Sequence, residues 1–74
     1  MERYANRSGN SPITHYQIND RSITVCFKGG KNYNYGYSGA GISNVETMKR
    51  LARGGSGLSA YITRNVRNDY DYKD

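Results

Sequence analysis

At 74 residues, with Lys and Arg outnumbering Asp and Glu eleven to six for a formal net charge of +5, the chain suits one small domain with a bias toward anionic partners. Hydrophobic residues make up only 35%, so eight Tyr beside one Phe and no Trp must supply much of whatever the fold buries. The single Cys26, single His15 and six scattered carboxylates exclude an intrachain disulfide and give neither a metal-ligand cluster nor a nucleophile–base–acid set, so no catalytic residue, metal centre or cofactor is expected.

Residues 1–7 contain no apolar run of the kind a secretory leader needs, and no segment approaches membrane-spanning length. Together with the lone thiol, this predicts a cytoplasmic chain. Asn6–Pro12 is rich in turn formers and predicts a loop that enters a strand. Ile13–Ile18 predicts a short strand with Tyr16 and Ile18 on one face and Ile13 and His15 on the other, followed by a turn at Asn19–Arg21. In Ser22–Lys28 the alternation of Ile23, Val25 and Phe27 with polar neighbours is that of a half-buried strand. Gly29 and Gly30 predict a two-residue primed hairpin turn, and Lys31–Tyr37 a third strand with Tyr33, Tyr35 and Tyr37 on one face.

Ser43 and Glu46 have the spacing of a capping box. A helix is expected from there, with Val45, Met48, Leu51 and Ala52 inward, Lys49, Arg50 and Arg53 outward, and Gly54 as its left-handed stop. Beyond a glycine-rich elbow, Arg53–Gly57, a second helix is expected from about Leu58 to Asn68, with Leu58, Tyr61, Ile62, Val66 and Tyr70 inward and Arg64 and Arg67 outward. Residues 71–74 are expected to form a solvated acidic tail. The sum is one α+β domain over residues 1–74, ordered from about 8 to 70, in which a three-stranded antiparallel meander is followed by two helices packed on one face.

The stretch Thr47–Asn68 carries five cationic residues and no Asp or Glu, which predicts a positive surface for phosphates. Three groups of residues are candidates to meet them. In the elbow, Arg53 offers a charged fork, Ser56 a hydroxyl and Gly55 a backbone N–H at the start of a helix, although the same residues also make an ordinary helix–helix connection. In the N-terminal loop, Ser8, Asn10 and Ser11 present two hydroxyls and an amide for a base edge, ribose or phosphate, or else simply a turn. Tyr16 and Tyr37 are the rings freest to stack on a base, while Arg64 and Arg67 lie on the outer face of the second helix. If the loop and elbow lie near one another, they form one polar pocket with tyrosine walls.

Taken in order, the Ser8/Ser11 loop with Ile13 and Tyr16, the Ile23-Val25-Phe27 strand, Gly30 with Tyr33 and Tyr35, Leu51-Ala52, the elbow through Gly57, Tyr61-Ile62 and Tyr70 resemble the KTSC family. That small domain is encoded alone by bacteria and phages and is appended to some lysyl-tRNA synthetases. The chain departs from the family in having Ser38–Ile42 where members usually carry a Val-Pro step. In size, architecture and residue chemistry it also resembles the viral anti-CBASS sponge proteins that sequester cyclic oligonucleotides made by bacterial anti-phage systems. These resemblances imply a phage-encoded, non-catalytic sponge for a cyclic oligonucleotide such as a cyclic dinucleotide, acting in the cytoplasm of an infected bacterium as a homodimer or homotetramer. The alternative they imply is a small RNA- or DNA-binding module, with docking of another protein on the aromatic face as a third reading.

Overall fold

The computed structural model describes residues 1–73 and has nine elements in chain order. They are β1 (Glu2–Arg3), β2 (Ile13–Asn19), β3 (Ser22–Phe27), β4 (Asn32–Gly36), α1 (Tyr37–Ala40), α2 (Ile42–Gly54), α3 (Leu58–Tyr61), a π-helical turn (Ile62–Val66) and β5 (Tyr72–Lys73). The expected α+β character holds, but the sheet has five strands in the order β1-β2-β3-β4-β5, every pair antiparallel. The three-strand, two-helix layout is therefore corrected at both ends. Residues 2–3 pair with His15 and Tyr16, and Tyr72–Lys73 pair with Asn34 and Tyr33. Asp74 of the expected tail lies outside the described residues.

Side-chain alternation decides which face is covered. Across β2, β3 and β4 the register places Tyr16 beside Val25 beside Tyr33, and Ile18 beside Ile23 beside Tyr35. These side chains pack with Val45, Met48, Ala52, Leu58 and Val66 of the helical layer. The opposite face carries Gln17, Thr24 and Asn34, where the Asn34 amide donates to Thr24 Oγ1 at 3.0 Å. Ile13 was expected to point away from Tyr16. A bulge between Ile13 and His15 inserts one residue, which returns Ile13 to the core at 2% exposure.

Two further expectations change. The β3–β4 connection is a turn over Phe27–Gly30, closed by Gly30 N–H to Phe27 O at 3.0 Å, with Phe27 N–H to Lys31 O at 2.8 Å. Gly29 and Gly30 both have positive φ, 94° and 87°, so the glycines are needed, but in a three-residue connection and not a two-residue one. The capping box does not form, because α2 begins at Ile42 after Gly41 with no side-chain cap. Glu46 has other partners: it accepts from Tyr37 Oη at 2.5 Å and pairs with Lys49 Nζ at 3.0 Å. Lys49, expected outside, is 5% exposed, its stem lying along the core and its ammonium donating to Asp20 O at 3.0 Å.

The helix stop also moves by one residue. Gly54 ends α2, and Gly55 is the left-handed residue at φ 79°, its N–H donating to Leu51 O at 2.9 Å and Ala52 O at 3.2 Å. The second helix begins at Leu58 as expected, but after one α turn it widens into the π turn over Ile62–Val66. Leu58 and Val66 are fully buried, and Tyr61 is tied through its hydroxyl to Asn44 Oδ1 at 2.6 Å.

The N-terminus was expected to be outside the ordered core, yet Tyr4 is 4% exposed and its hydroxyl accepts from the Leu58 N–H at 3.3 Å. The C-terminus is held where Asp71 N–H donates to Asn34 O at 2.7 Å. The Asp71 carboxylate fills the space that side chains at Gly36 and Gly39 would need.

Candidate functional site

The N-terminal loop and the elbow do meet. Arg7 N–H donates to Gly55 O at 2.7 Å, and Arg7 Nε donates to Gly54 O at 2.8 Å. Their junction is a pocket of about 370 Å³ lined by Tyr4, Ser8, Asn10, Ser11, Gly57 and Ser59 among others. Some of its polar groups hold the loop. Asn6, at φ 52°, accepts from Ser11 N–H at 3.0 Å and from Ser8 Oγ at 3.5 Å, and Ser11 Oγ accepts from Ile13 N–H at 3.2 Å. Ser11 is buried at 8% exposure, while Ser8 and Asn10 are exposed.

The remaining expected site residues do not join this pocket. The Gly55 N–H is committed to the α2 carbonyls, and the residue is glycine because a Cβ would sit 2.6 Å from Ala5 Cβ. The N–H that was to meet a phosphate is thus engaged within the chain. Ser56 is exposed on the elbow, and Arg53 faces a separate groove with Met1, Glu2, Tyr16 and Gln17. Tyr16, expected to be free for stacking, is 9% exposed and belongs to the core, because the β2 register turns it onto the helix-covered face. Tyr37 opens α1 instead of ending a strand. Its hydroxyl is bound to Glu46, and Lys49 Nζ lies 5.6 Å from its ring centroid.

That hydrogen bond, followed by the contact with Lys49, holds the Glu46 carboxyl below its usual range, and the same bond raises the Tyr37 phenol. Arg64 is exposed on the π turn, and Arg67 alone of the expected residues reaches the strongest concentration of charge.

That concentration is a groove of about 520 Å³ between the β3–β4 hairpin, the end of the helical layer and β5. Its cations are Lys28 and Lys31 on either side of the hairpin glycines, Arg67 beyond the π turn and Lys73 on β5, all exposed. Its apolar wall is Phe27, Tyr33, Tyr35 and Tyr70, and among the described residues no carboxylate lines it. Tyr33 meets Phe27 and Tyr70 edge to face, at 5.3 Å and 5.1 Å between centroids, and stacks on Tyr35 at 6.5 Å. Burial, then the neighbouring Tyr33 and Tyr70, push the Tyr35 phenol up to about 12.

Such an arrangement offers anions several donors at once and offers flat groups aromatic edges and faces. A volume between about 300 and 1,000 Å³ is the ordinary range for small-ligand sites. Sequence reading missed Lys28, Lys31 and Lys73 here. The signal for the first two was a pair of lysines bracketing a Gly-Gly turn, which fixes them at one hairpin tip.

Among the described residues, no group of three or more His, Cys, Asp or Glu side chains is placed to hold a metal ion. No helix among them is long and apolar enough to cross a membrane. Comparison with protein-family models, with curated proteins and with solved structures gives no match for this chain.

Proposed function

We propose that this chain is a non-catalytic binder of phosphate-bearing nucleotides in the hairpin–tail groove, and that its ligand is a compact one, a cyclic oligonucleotide that it sequesters. The observation that carries the reading is the gathering of Lys28, Lys31, Arg67 and Lys73 around a tyrosine wall that no carboxylate among the described residues lines. Cations supply phosphate contacts, and the rings supply a surface for bases. Compactness follows from scale, since a groove of about 520 Å³ on a domain 31 Å in its longest extent has room for a few nucleotides and no track for a long strand. A two-fold symmetric ligand would be served best by two such grooves brought together in a homodimer or homotetramer. The exposure of all four cations favours a second reading, a short single-stranded RNA or DNA segment.

Calorimetry with cyclic di- and trinucleotides, and with oligothymidylate, at about 50 and 200 mM salt separates the two. Sequestration predicts a cyclic nucleotide bound in the micromolar range or tighter, recovered intact afterwards, with native mass spectrometry reporting the number of subunits per ligand. Cyclic-nucleotide affinities no better than about 1 mM would overturn it. Binding confined to oligothymidylate, collapsing as salt rises, would establish the second reading in its place.

A further inference from the structure

The chain itself already occupies the ring faces of the groove. Lys73 Nζ lies 5.7 Å from the ring centroid of Tyr33 and 5.6 Å from that of Tyr70, and both rings are half-buried walls of the groove. An ammonium at that range is drawn to the electron-rich face of a phenol ring. Lys73 stands directly opposite Tyr33 in the β4–β5 ladder, so this placement is set by strand register and not by chance contact. Among the described residues the one ion pair is Lys49 with Glu46, and the contacts of Lys73 are these two rings. The side chain is exposed, and its four-carbon stem can swing while β5 stays paired. A base stacking on Tyr33 or Tyr70 has to take the place of this ammonium.

We infer that Lys73 makes the groove selective for phosphorylated over unphosphorylated bases. Every ligand that stacks on these rings must displace the ammonium, but only one carrying a phosphate gives it a new and stronger partner. A nucleoside displaces it with no return. The inference rests on the nucleotide-binding reading above and adds to it a residue that decides which form of a base is accepted.

The test uses the full chain, the common nucleosides and their 5′-monophosphates, titrated against wild type and Lys73→Met, which keeps an apolar stem and loses the charge. Wild type should favour monophosphates by about tenfold or more, the scale of one charge-assisted contact. In Lys73→Met, nucleosides should gain about threefold as the ring faces are uncovered, monophosphates should weaken, and the preference should narrow to what Lys28, Lys31 and Arg67 still supply. Loss of nucleosides and monophosphates in equal proportion, or an unchanged preference, overturns the role of Lys73 while leaving nucleotide binding intact. If wild type binds neither class, the role of Lys73 fails, while the nucleotide reading stands or falls by the cyclic-nucleotide titration.

A ligand-free readout stands beside these. The Lys73 Hε protons of wild type should resonate upfield from the ring currents of Tyr33 and Tyr70, and should return downfield on addition of a monophosphate. Unshifted Hε resonances in the free protein overturn the proposal on their own.

Discussion

The loop–elbow pocket and the hairpin–tail groove share Pro12 as a wall and are assembled in opposite ways. The pocket takes its polar groups from neighbours in sequence, Ser8, Asn10 and Ser11, and ties Ser8 and Ser11 back to Asn6 and Ile13. There Asn6 Oδ1 and Ser11 Oγ accept backbone N–H groups of the loop itself. The groove takes its charge from three separated parts of the chain, the 28–31 turn, Arg67 and Lys73, and none of these cations is in an ion pair among the described residues. Polar residues crowded together in a small domain hold a loop in shape. Cations gathered by topology, with no carboxylate alongside, remain available to something outside the chain.

The contrast breaks first at Gly55. Gly55→Ala places a side chain at φ 79° and against Ala5, so it should cost about 2–4 kcal/mol of stability, read by urea unfolding. Stability near wild type would mean that the loop–elbow contact is adaptable, and its pocket would again compete as a ligand site. Next in size, Lys28→Ala with Lys31→Ala should lower nucleotide affinity about tenfold, close to 1.4 kcal/mol, while moving stability by no more than about 0.5 kcal/mol. The matching double variant Ser8→Ala with Asn10→Ala should leave that affinity unchanged in the same titration. Reversal of the two results would return the site to the N-terminal loop.

The smallest effect sharpens the description of the groove floor. The folded chain holds the Tyr35 proton up to a pKa of about 12, above the ordinary 10.0, so this contribution to stability is whole below pH 10 and is lost as the pH rises toward 12. Tyr35→Phe should be nearly silent at pH 7 and should flatten the alkaline decline in unfolding free energy. An equally steep decline in the variant would show that Tyr35 is not the group responsible.

Much of the layered core could be read from pattern. Alternation in 22–28 and 31–37 located β3 and β4, and the spacing of Val45, Met48 and Ala52 gave the buried face of α2. The edge strands β1 and β5 were out of reach because two residues carry no periodicity. What orders them lies elsewhere in the chain: Tyr4 against Leu58, and Asp71 against Asn34. Lys49 and Glu46 misled for a related reason, since the partners that decided their places, Asp20 and Tyr37, come from other elements. The proximity of loop and elbow could be posed only as a condition, and the groove was not foreseen. Its cations are spread from residue 28 to residue 73, and Lys73 fell in a segment assigned to solvent.

The π turn gives the groove an unusual vulnerability. Each residue of a regular helix advances the chain by about 100°, and a π turn amounts to one residue more than an α-helix would hold over the same span. Arg67 follows Ile62–Val66 directly, so where it points depends on a count of residues as much as on its chemistry. Removing one residue from 63–65 would leave every lysine and tyrosine of the groove in the chain and yet rotate Arg67 away from Lys28 and Lys31. A search for related sequences built on composition would accept such a deletion. One built on spacing should treat it as a different surface.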